Sequence, residues 1–151
     1  MERTLVLVKP DGVHRGLVGA VISRLERKGL KLVAASLLHP DASLVERHYA
    51  EHEGKSFYRP LVDFLTSGPV MAMVVEGAEA ISVVRSLVGP TNPATAPPGT
   101  LRGDLGLMVS RNVVHASDSP TSAEREIALW FPNGPIVDYE RNDGSWVYGE
   151  D

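Results

Sequence analysis

The stretch "RTLVLVKPDGVHRGLVGAVISRLERKG", Arg3 to Gly29, decides the fold. Its first part, "RTLVLVK", is a short apolar run rich in Leu and Val, which predicts a buried strand that ends at the Pro-Asp-Gly turn signal. From Val13 to Lys28 apolar residues recur every four positions, and Gly29 follows as a C-terminal cap, so a helix is predicted there. A buried strand followed at once by an amphipathic helix indicates helices packed on a sheet.

The remainder of the chain continues this alternation. Strands are predicted at 30–39, 70–77 and 113–115, and helices near 44–50, 58–66 and 80–88. A last helix follows His115, capped either by Ser119 with Pro120 at the first helical position or by a capping box of Thr121 with Glu124. The order predicts an α+β fold with one sheet, in a single domain over residues 1–151.

The segment from Gly89 to Arg111 is the unusual part of the sequence. It carries Pro90, Pro93, Pro97 and Pro98, and it leaves little room for a regular element of its own. Proline fixes φ and stiffens a chain, and long loops inside compact domains are often functional. We therefore expect this segment to be an ordered loop that takes part in the function of the protein.

Composition narrows the class of protein. With 43% hydrophobic and 23% charged residues, the chain of 151 residues is typical of a globular protein. A net charge of −4 argues against a nucleic-acid coat, and the lack of cysteine excludes a thiolate nucleophile, a disulfide and a sulfur-bound metal. The first strand pattern begins almost at Met1, and no apolar run approaches the roughly 20 residues of a membrane span. We expect a cytoplasmic protein without a membrane segment.

His115 is the candidate for chemistry. On the last predicted helix Glu126 lies about 60° from the centre of the apolar face, at the edge of the buried stripe. A carboxylate there costs free energy unless it finds a donor, and His115 and Ser117 could supply one. Glu126 would then hold the imidazole in the tautomer whose other nitrogen is a free nucleophile. The alternative is a core histidine beside a surface carboxylate.

A nucleophilic histidine that attacks a phosphoryl group needs positive charge around the oxygens of that group. Three basic residues and two neutral hydrogen-bond donors could surround the phosphoryl oxygens: Lys9, Arg85, Arg102, Thr91 and Asn112. Taken singly, each is equally a solvated surface residue, and sequence spacing leaves their convergence open.

Five strings occur together in a known order and spacing: "KPDG", "HYAEH", "GPTNP", "GTLRGDL" and "NVVHASDS". With them the sequence resembles the nucleoside diphosphate kinases over essentially the whole chain. The resemblance implies a ferredoxin-like sandwich, in which helices pack on a four-stranded antiparallel sheet. It also implies an enzyme that moves the γ-phosphate of a nucleoside triphosphate, chiefly ATP, to a nucleoside diphosphate. The transfer would be a ping-pong reaction through phosphohistidine at His115.

The same resemblance implies a role for each matching residue. Glu126 and Ser117 would orient the ring of His115, Tyr49 would lie near the transfer site, and Lys9 would lie close to the transferred phosphate. Contacts to the ribose, the phosphates and the base are implied for Lys9, Phe57, Leu61, Arg85, Thr91, Arg102, Val109 and Asn112. Because Phe57 and Val109 would sandwich the base without reading its edge, broad base specificity is expected.

The resemblance further implies Mg²⁺, held mostly by the phosphates of the nucleotide, with Asp118 as a contact through water. Local capping of the following helix is the other explanation for Asp118. The expected partners are nucleoside tri- and diphosphates and further copies of the chain. The tail 132–151 resembles that of hexameric members, which favours a hexamer over a tetramer.

Alternatives from other classes remain. An RNA-binding module with this sandwich fold has little support, because the strands lack interleaved aromatic residues and the chain is acidic. A regulatory nucleotide-binding protein without turnover is disfavoured by the intact set of His115, Glu126 and Lys9. An additional role, such as DNA binding, is neither indicated nor excluded by the sequence.

Overall fold

The computed structural model describes residues 1–150, which form four strands and eight α-helices. In chain order they are β1 (Glu2–Val8), α1 (Pro10–His14), α2 (Val18–Lys28), β2 (Lys31–Leu38), α3 (Ala42–His48), α4 (Tyr58–Leu65), β3 (Val70–Gly77), α5 (Ala80–Val88), α6 (Leu101–Leu105), β4 (Val114–Ala116), α7 (Pro120–Trp130) and α8 (Gly144–Val147). A single 3-10 turn, Ala50–His52, follows α3. None of the helices in this described part combines the length and the apolar character that crossing a bilayer requires.

The four strands form one antiparallel sheet in the order β2-β3-β1-β4. The predicted α+β class and four-stranded antiparallel sheet are thereby confirmed. Helices cover both faces of the sheet: Val6 and Val8 pack with α2 and α5, whereas Leu5 and Leu7 pack with α3, α4 and α7. Because both faces are buried, β1 is an unbroken apolar run and does not alternate.

The predicted helix from Val13 to Lys28 is wrong in one respect, because it is divided into α1 and α2. Gly16 has φ = 70° in the break, a left-handed conformation that glycine adopts readily. The predicted turn at Pro10 is also the first turn of α1, where the fixed φ of proline suits a helix start. At Gly12 a Cβ would lie 2.6 Å from Cγ1 of Val8. Only glycine, which has no Cβ, therefore allows α1 to lie this close to β1.

Two further differences lie around the long loop. Residues 89–111 do contain a regular element, the short helix α6, whose N-cap Thr100 accepts a hydrogen bond from the backbone N–H of Gly103. The last strand runs over Val114–Ala116, one residue later than predicted. Of the two caps considered for α7, Ser119 is the one used, and it accepts a 3.1 Å hydrogen bond from the N–H of Ser122.

Candidate active site

The pairing of β1 with β4 places Lys9 and His115 on the same side of the sheet. Leu7 is the partner of His115 in the antiparallel register, and side chains alternate along a strand, so Lys9 emerges on the face of Leu7. The N–H of Lys9 donates a 2.8 Å hydrogen bond to the carbonyl of Val113. The face they share is the one that α3, α4 and α7 cover.

His115, Glu126 and Ser117 form one hydrogen-bonded group. Nε2 of His115 lies 2.7 Å from Oε1 of Glu126, and the hydroxyl of Ser117 donates a 2.8 Å hydrogen bond to the same oxygen. A carboxylate only accepts, so Nε2 carries the proton and Nδ1 keeps its lone pair. Within residues 1–150 no protein group forms a hydrogen bond with Nδ1. The side chain of His115 is 24% exposed, so the free nitrogen belongs to a ring that substrate can reach.

The carboxylate of Glu126 stays ionised although it is only 7% exposed. Burial alone would raise its pKa. The hydrogen bonds from His115 and from the hydroxyl of Ser117 outweigh burial and hold the pKa below its usual value. Glu126 therefore places a negative charge against the far nitrogen of the ring of His115.

The turn that leads into β4 is strained. Val113 is buried and has φ = 73°, a region that β-branched residues rarely adopt. The carboxylate of Asp11 accepts a 3.0 Å hydrogen bond from the N–H of Val113, and the N–H of Lys9 binds its carbonyl. The start of α1 thus holds the conformation that directs Asn112 and His115.

Lys9 and Asn112 connect the first strand to the long loop. The ammonium group of Lys9 donates to Oδ1 of Asn112, and Nδ2 of Asn112 donates a 3.0 Å hydrogen bond to the carbonyl of Thr91. Burial lowers the pKa of Lys9 to about 8; the carboxylate of Asp11 opposes this shift, and the charge of Arg102 adds to it. Lys9 is therefore a poorly hydrated cation that gains from the arrival of an anion.

Two arginines lie along the backbone of β4. The guanidinium of Arg102 is buried and donates to the carbonyls of Gly89, Asn112 and Val114. The exposed Arg85 on α5 donates a 3.3 Å hydrogen bond to the carbonyl of Ala116. Burial, and next the charge of Arg85, lowers the pKa of Arg102 to about 10. The two arginines bind the carbonyls immediately before and after His115.

A cavity of about 720 Å³ opens beside Lys9. Six of the residues predicted to bind the nucleotide line it: Lys9, Thr91 and Asn112 at the polar end, and Phe57, Leu61 and Val109. Phe57 is 46% exposed and Val109 is 50% exposed, which leaves apolar surface on both available for a ligand. The volume lies within the range of about 300–1,000 Å³ that small-molecule sites occupy. Neither Arg85 nor Arg102 is among the lining residues.

Tyr49 and Asp118 lie at the edges of the group around His115. The ring of Tyr49 packs edge-on against the ring of His48, at 4.7 Å between centroids. Burial, and next the charge of Glu126, raises the pKa of Tyr49 to about 12, so its phenol stays protonated. Asp118 is exposed before α7. Hydrogen bonding from Ser122, opposed by slight burial, lowers its pKa, and so Asp118 is ionised.

Three residues of the site are missing from the sequence-based set. Arg111 stacks on Phe64 with its guanidinium carbon 4.2 Å from the ring centroid, and both residues line the cavity. Phe64 is part of the apolar pattern of α4, where it cannot be told from a core residue. His48 packs against His115, and it was already present in the "HYAEH" string, where only Tyr49 received a role.

Comparison with known proteins agrees with this geometry. The family model described as nucleoside diphosphate kinase matches residues 2–136. A nucleoside diphosphate kinase of Archaeoglobus fulgidus is 65% identical over 150 residues, covering 99% of each chain. The halophilic nucleoside diphosphate kinase of Halobacterium salinarum, solved in complex with CDP, has a TM-score of 0.95 at 51% identity, over 98% of this chain and 99% of that one.

A second solved structure is described as a transition state mimic of the nucleoside-diphosphate kinase of Borrelia burgdorferi, with bound vanadate and ADP. It has a TM-score of 0.88 at 43% identity and covers 94% of each chain. The family match, which extends over most of the sequence, and the high identity to whole relatives lead to one conclusion. This chain belongs to the nucleoside diphosphate kinase family.

Proposed function

We propose that this enzyme transfers the γ-phosphate of a nucleoside triphosphate, chiefly ATP, to a nucleoside diphosphate through phosphohistidine at His115, with broad base specificity. The observation that carries the proposal is the state of one ring. Nε2 of His115 is bound by Glu126, and Nδ1 is free. On the adjacent strand and the same face lies Lys9, at the polar end of the cavity.

In the first half of the reaction the lone pair of Nδ1 attacks the γ-phosphorus. A P–N bond forms, the bond from the γ-phosphorus to the bridging oxygen breaks, and the nucleoside diphosphate leaves with that electron pair. In the second half a β-phosphate oxygen of another nucleoside diphosphate attacks the same phosphorus. The P–N bond then breaks and its electron pair returns to Nδ1, which regenerates the free ring.

The surrounding charges suit both halves. Positive charge develops on the imidazole as the P–N bond forms, and the ionised carboxylate of Glu126 lies against Nε2, where it stabilises that charge. Lys9, Arg85 and Arg102 supply positive charge for the phosphate oxygens. The buried guanidinium of Arg102 is anchored to three backbone carbonyls, so we assign it to fixing β4 as well as to the field at the phosphate.

The residues of the site are suited to Mg²⁺ that binds together with the nucleotide. Asp118 is an exposed, ionised carboxylate that feels the charge of Arg85, and oxygen ligands through water are those Mg²⁺ prefers. When bound, the ion would neutralise charge on the phosphates of the nucleotide. Asp118 also accepts a hydrogen bond from Ser122, so capping of α7 and a water-mediated contact are compatible roles.

We also infer that the active protein is a homo-oligomer, with a hexamer favoured over a tetramer. Large apolar side chains are exposed on the tail, which resembles that of hexameric members, and on the loop 89–111. Leu107 belongs to the loop, and Trp146, in α8, is 90% exposed. Burying such side chains against another copy of the chain would remove apolar surface from water.

Replacing Phe57 with alanine is expected to weaken the binding of all nucleotides to a similar extent. Loss of a stacked aromatic ring costs about 1–3 kcal/mol of binding free energy per base, whatever the base. Titration calorimetry with ADP, GDP, CDP and UDP measures the loss. A change in the rank order of the four nucleotides would contradict a clamp that ignores the base edge.

The direct test of the proposed function is covalent labelling. The protein is incubated with γ-labelled ATP and Mg²⁺, and we expect label that is lost in acid, survives alkali and leaves when GDP is added. The chemical stability identifies a phosphoramidate, and the release by GDP identifies the second half of the cycle. A binding module or a regulatory relative without turnover would acquire no covalent label.

A further inference from the structure

His48 lies at the centre of the site but has no part in the transfer described above. It is the last residue of α3, it is buried, and its ring lies between the rings of Trp130 and His115. The indole N–H of Trp130 donates a buried 3.1 Å hydrogen bond to Nδ1 of His48. No sequence pattern connects His48 with Trp130.

The hydrogen bond from Trp130 decides which tautomer His48 adopts. An indole N–H only donates, so Nδ1 of His48 must present its lone pair, and the proton of the uncharged ring is on Nε2. Burial, and next the charge of His115, lowers the pKa of His48 to about 3, although the carboxylate of Glu126 opposes the shift. His48 is therefore an uncharged ring at neutral pH, and the hydrogen bond from Trp130 fixes its tautomer.

The fixed tautomer argues against a metal site at this place. His48, His115 and Glu126 offer ligand atoms that all lie within 4.8 Å of one another, which is a spacing suited to a transition metal. A metal ligand needs a free lone pair, and Nε2 of His48 carries a proton instead. For Nε2 to bind a metal, the proton of His48 would have to move to Nδ1. Nδ1–H would then face the N–H of Trp130, and two hydrogen-bond donors would lie opposite each other.

The packing indicates what His48 does for His115. The two rings are nearly perpendicular, at 79°, with 4.7 Å between their centroids. The hydrogen bond to Glu126 fixes one nitrogen of His115, but a single hydrogen bond leaves the ring free to turn about that contact. A perpendicular ring packed against it restricts this turning, and Trp130 in turn restricts the ring of His48.

We propose that His48, locked by Trp130, is a positioning residue that holds the ring of His115 with Nδ1 directed at the phosphoryl group. The inference rests on the proposed transfer through His115. It adds a second support to that ring, independent of Glu126 and Ser117. Since misplacement of a reacting group lowers the rate of its chemical step more than the affinity for substrate, the effect belongs to the phosphorylation rate.

The test uses two variants and one matched control. Trp130→Phe removes the indole N–H and keeps an aromatic ring, whereas His48→Asn keeps an acceptor for Trp130 and removes the imidazole ring. His39→Asn is the control, because it makes the same change at a histidine that is exposed after β2 and whose Nε2 bonds to the carbonyl of Thr66, outside the hydrogen bonds around His115. Thermal unfolding of each full-length variant shows whether it folds, and His48→Asn keeps the test open if Trp130→Phe does not.

Two measurements are made on these proteins. Nitrogen NMR of ¹⁵N-histidine-labelled protein is expected to show His48 as the Nε2–H tautomer in the parent and in His39→Asn, and as a mixture in Trp130→Phe. Single-turnover phosphorylation by ATP is expected to be slower by about tenfold in Trp130→Phe and in His48→Asn, with the nucleotide Kd unchanged. His39→Asn should match the parent protein in both.

Three results would overturn the proposal. One is an Nδ1–H tautomer of His48 in the parent, and another is phosphorylation at the parental rate in the folded variants. The third is a tetrahedral Co²⁺ spectrum that His48→Asn abolishes, because the cluster would then be a metal site. Failure of the parent protein to acquire any phosphate would count against the proposed function instead, and the tautomer would still be measurable.

Discussion

Replacing His115 with alanine is expected to abolish phosphoryl transfer, with a loss of roughly four orders of magnitude or more, while nucleotide still binds. The ring is the nucleophile that the protein supplies to the proposed cycle, and a methyl group cannot accept the phosphate. The residues that line the cavity, from Lys9 to Phe57 and Val109, are untouched by the substitution. Binding is measured by calorimetry with ADP, and transfer by release of labelled GTP from γ-labelled ATP and GDP.

The matched control for this variant is His39→Ala. His39 is exposed and its Nε2 bonds to the carbonyl of Thr66, so its loss should leave transfer unchanged. Label that remains on His115→Ala would place the phosphate on another residue. A parallel loss of nucleotide binding would show that the substitution damaged the cavity and not only the chemistry.

Replacing Glu126 with alanine is expected to lower the transfer rate by about 10²- to 10³-fold without abolishing it. The carboxylate selects the tautomer of His115 and stabilises the positive ring, but it is not consumed in the reaction. Its removal also leaves Nε2 of His115 and the buried hydroxyl of Ser117 without their common partner. Single-turnover phosphorylation by ATP measures the effect on the first half of the cycle.

Glu126→Gln separates orientation from charge, because the amide oxygen can still accept from Nε2 while the negative charge is lost. We expect a rate between those of the parent and Glu126→Ala. Glu124→Ala, an exposed glutamate on the same helix, serves as the control and should have parental activity. The role assigned to Glu126 is wrong if its alanine variant is either fully active or as inactive as His115→Ala.

Local sequence patterns were sufficient to predict most of the helices and strands. β3 and α5 are found where their periodicity places them, because the helix and strand periods follow directly from which faces are buried. The break at Gly16 escaped detection because the apolar spacing continues across it, so that periodicity and backbone conformation disagree. The helix α6 was missed because a single turn capped by Thr100 is too short to show a period.

The site was predictable only in part, for a physical reason. The meeting of Glu126 with His115 could be predicted, because the two residues are only 11 positions apart and the helical period turns Glu126 to the edge of the buried face of α7. The bond of Lys9 to Asn112 spans 103 positions, and the carbonyls that hold Arg102 belong to separate segments, so spacing cannot reveal either. Their grouping came from the resemblance. His48 was overlooked because a buried histidine on a helix looks like an ordinary core residue.

The bond between Asp11 and the backbone of Val113 also bears on when the protein becomes active during synthesis. Asp11 leaves the ribosome 102 residues before Val113, so the group that holds the strained turn is in place before the turn is synthesised. A nascent chain that ends before Val113 therefore has neither the strained turn nor an imidazole placed to accept a phosphate. If heating detaches β4 first, we expect phosphoryl transfer to be lost before the rest of the protein unfolds.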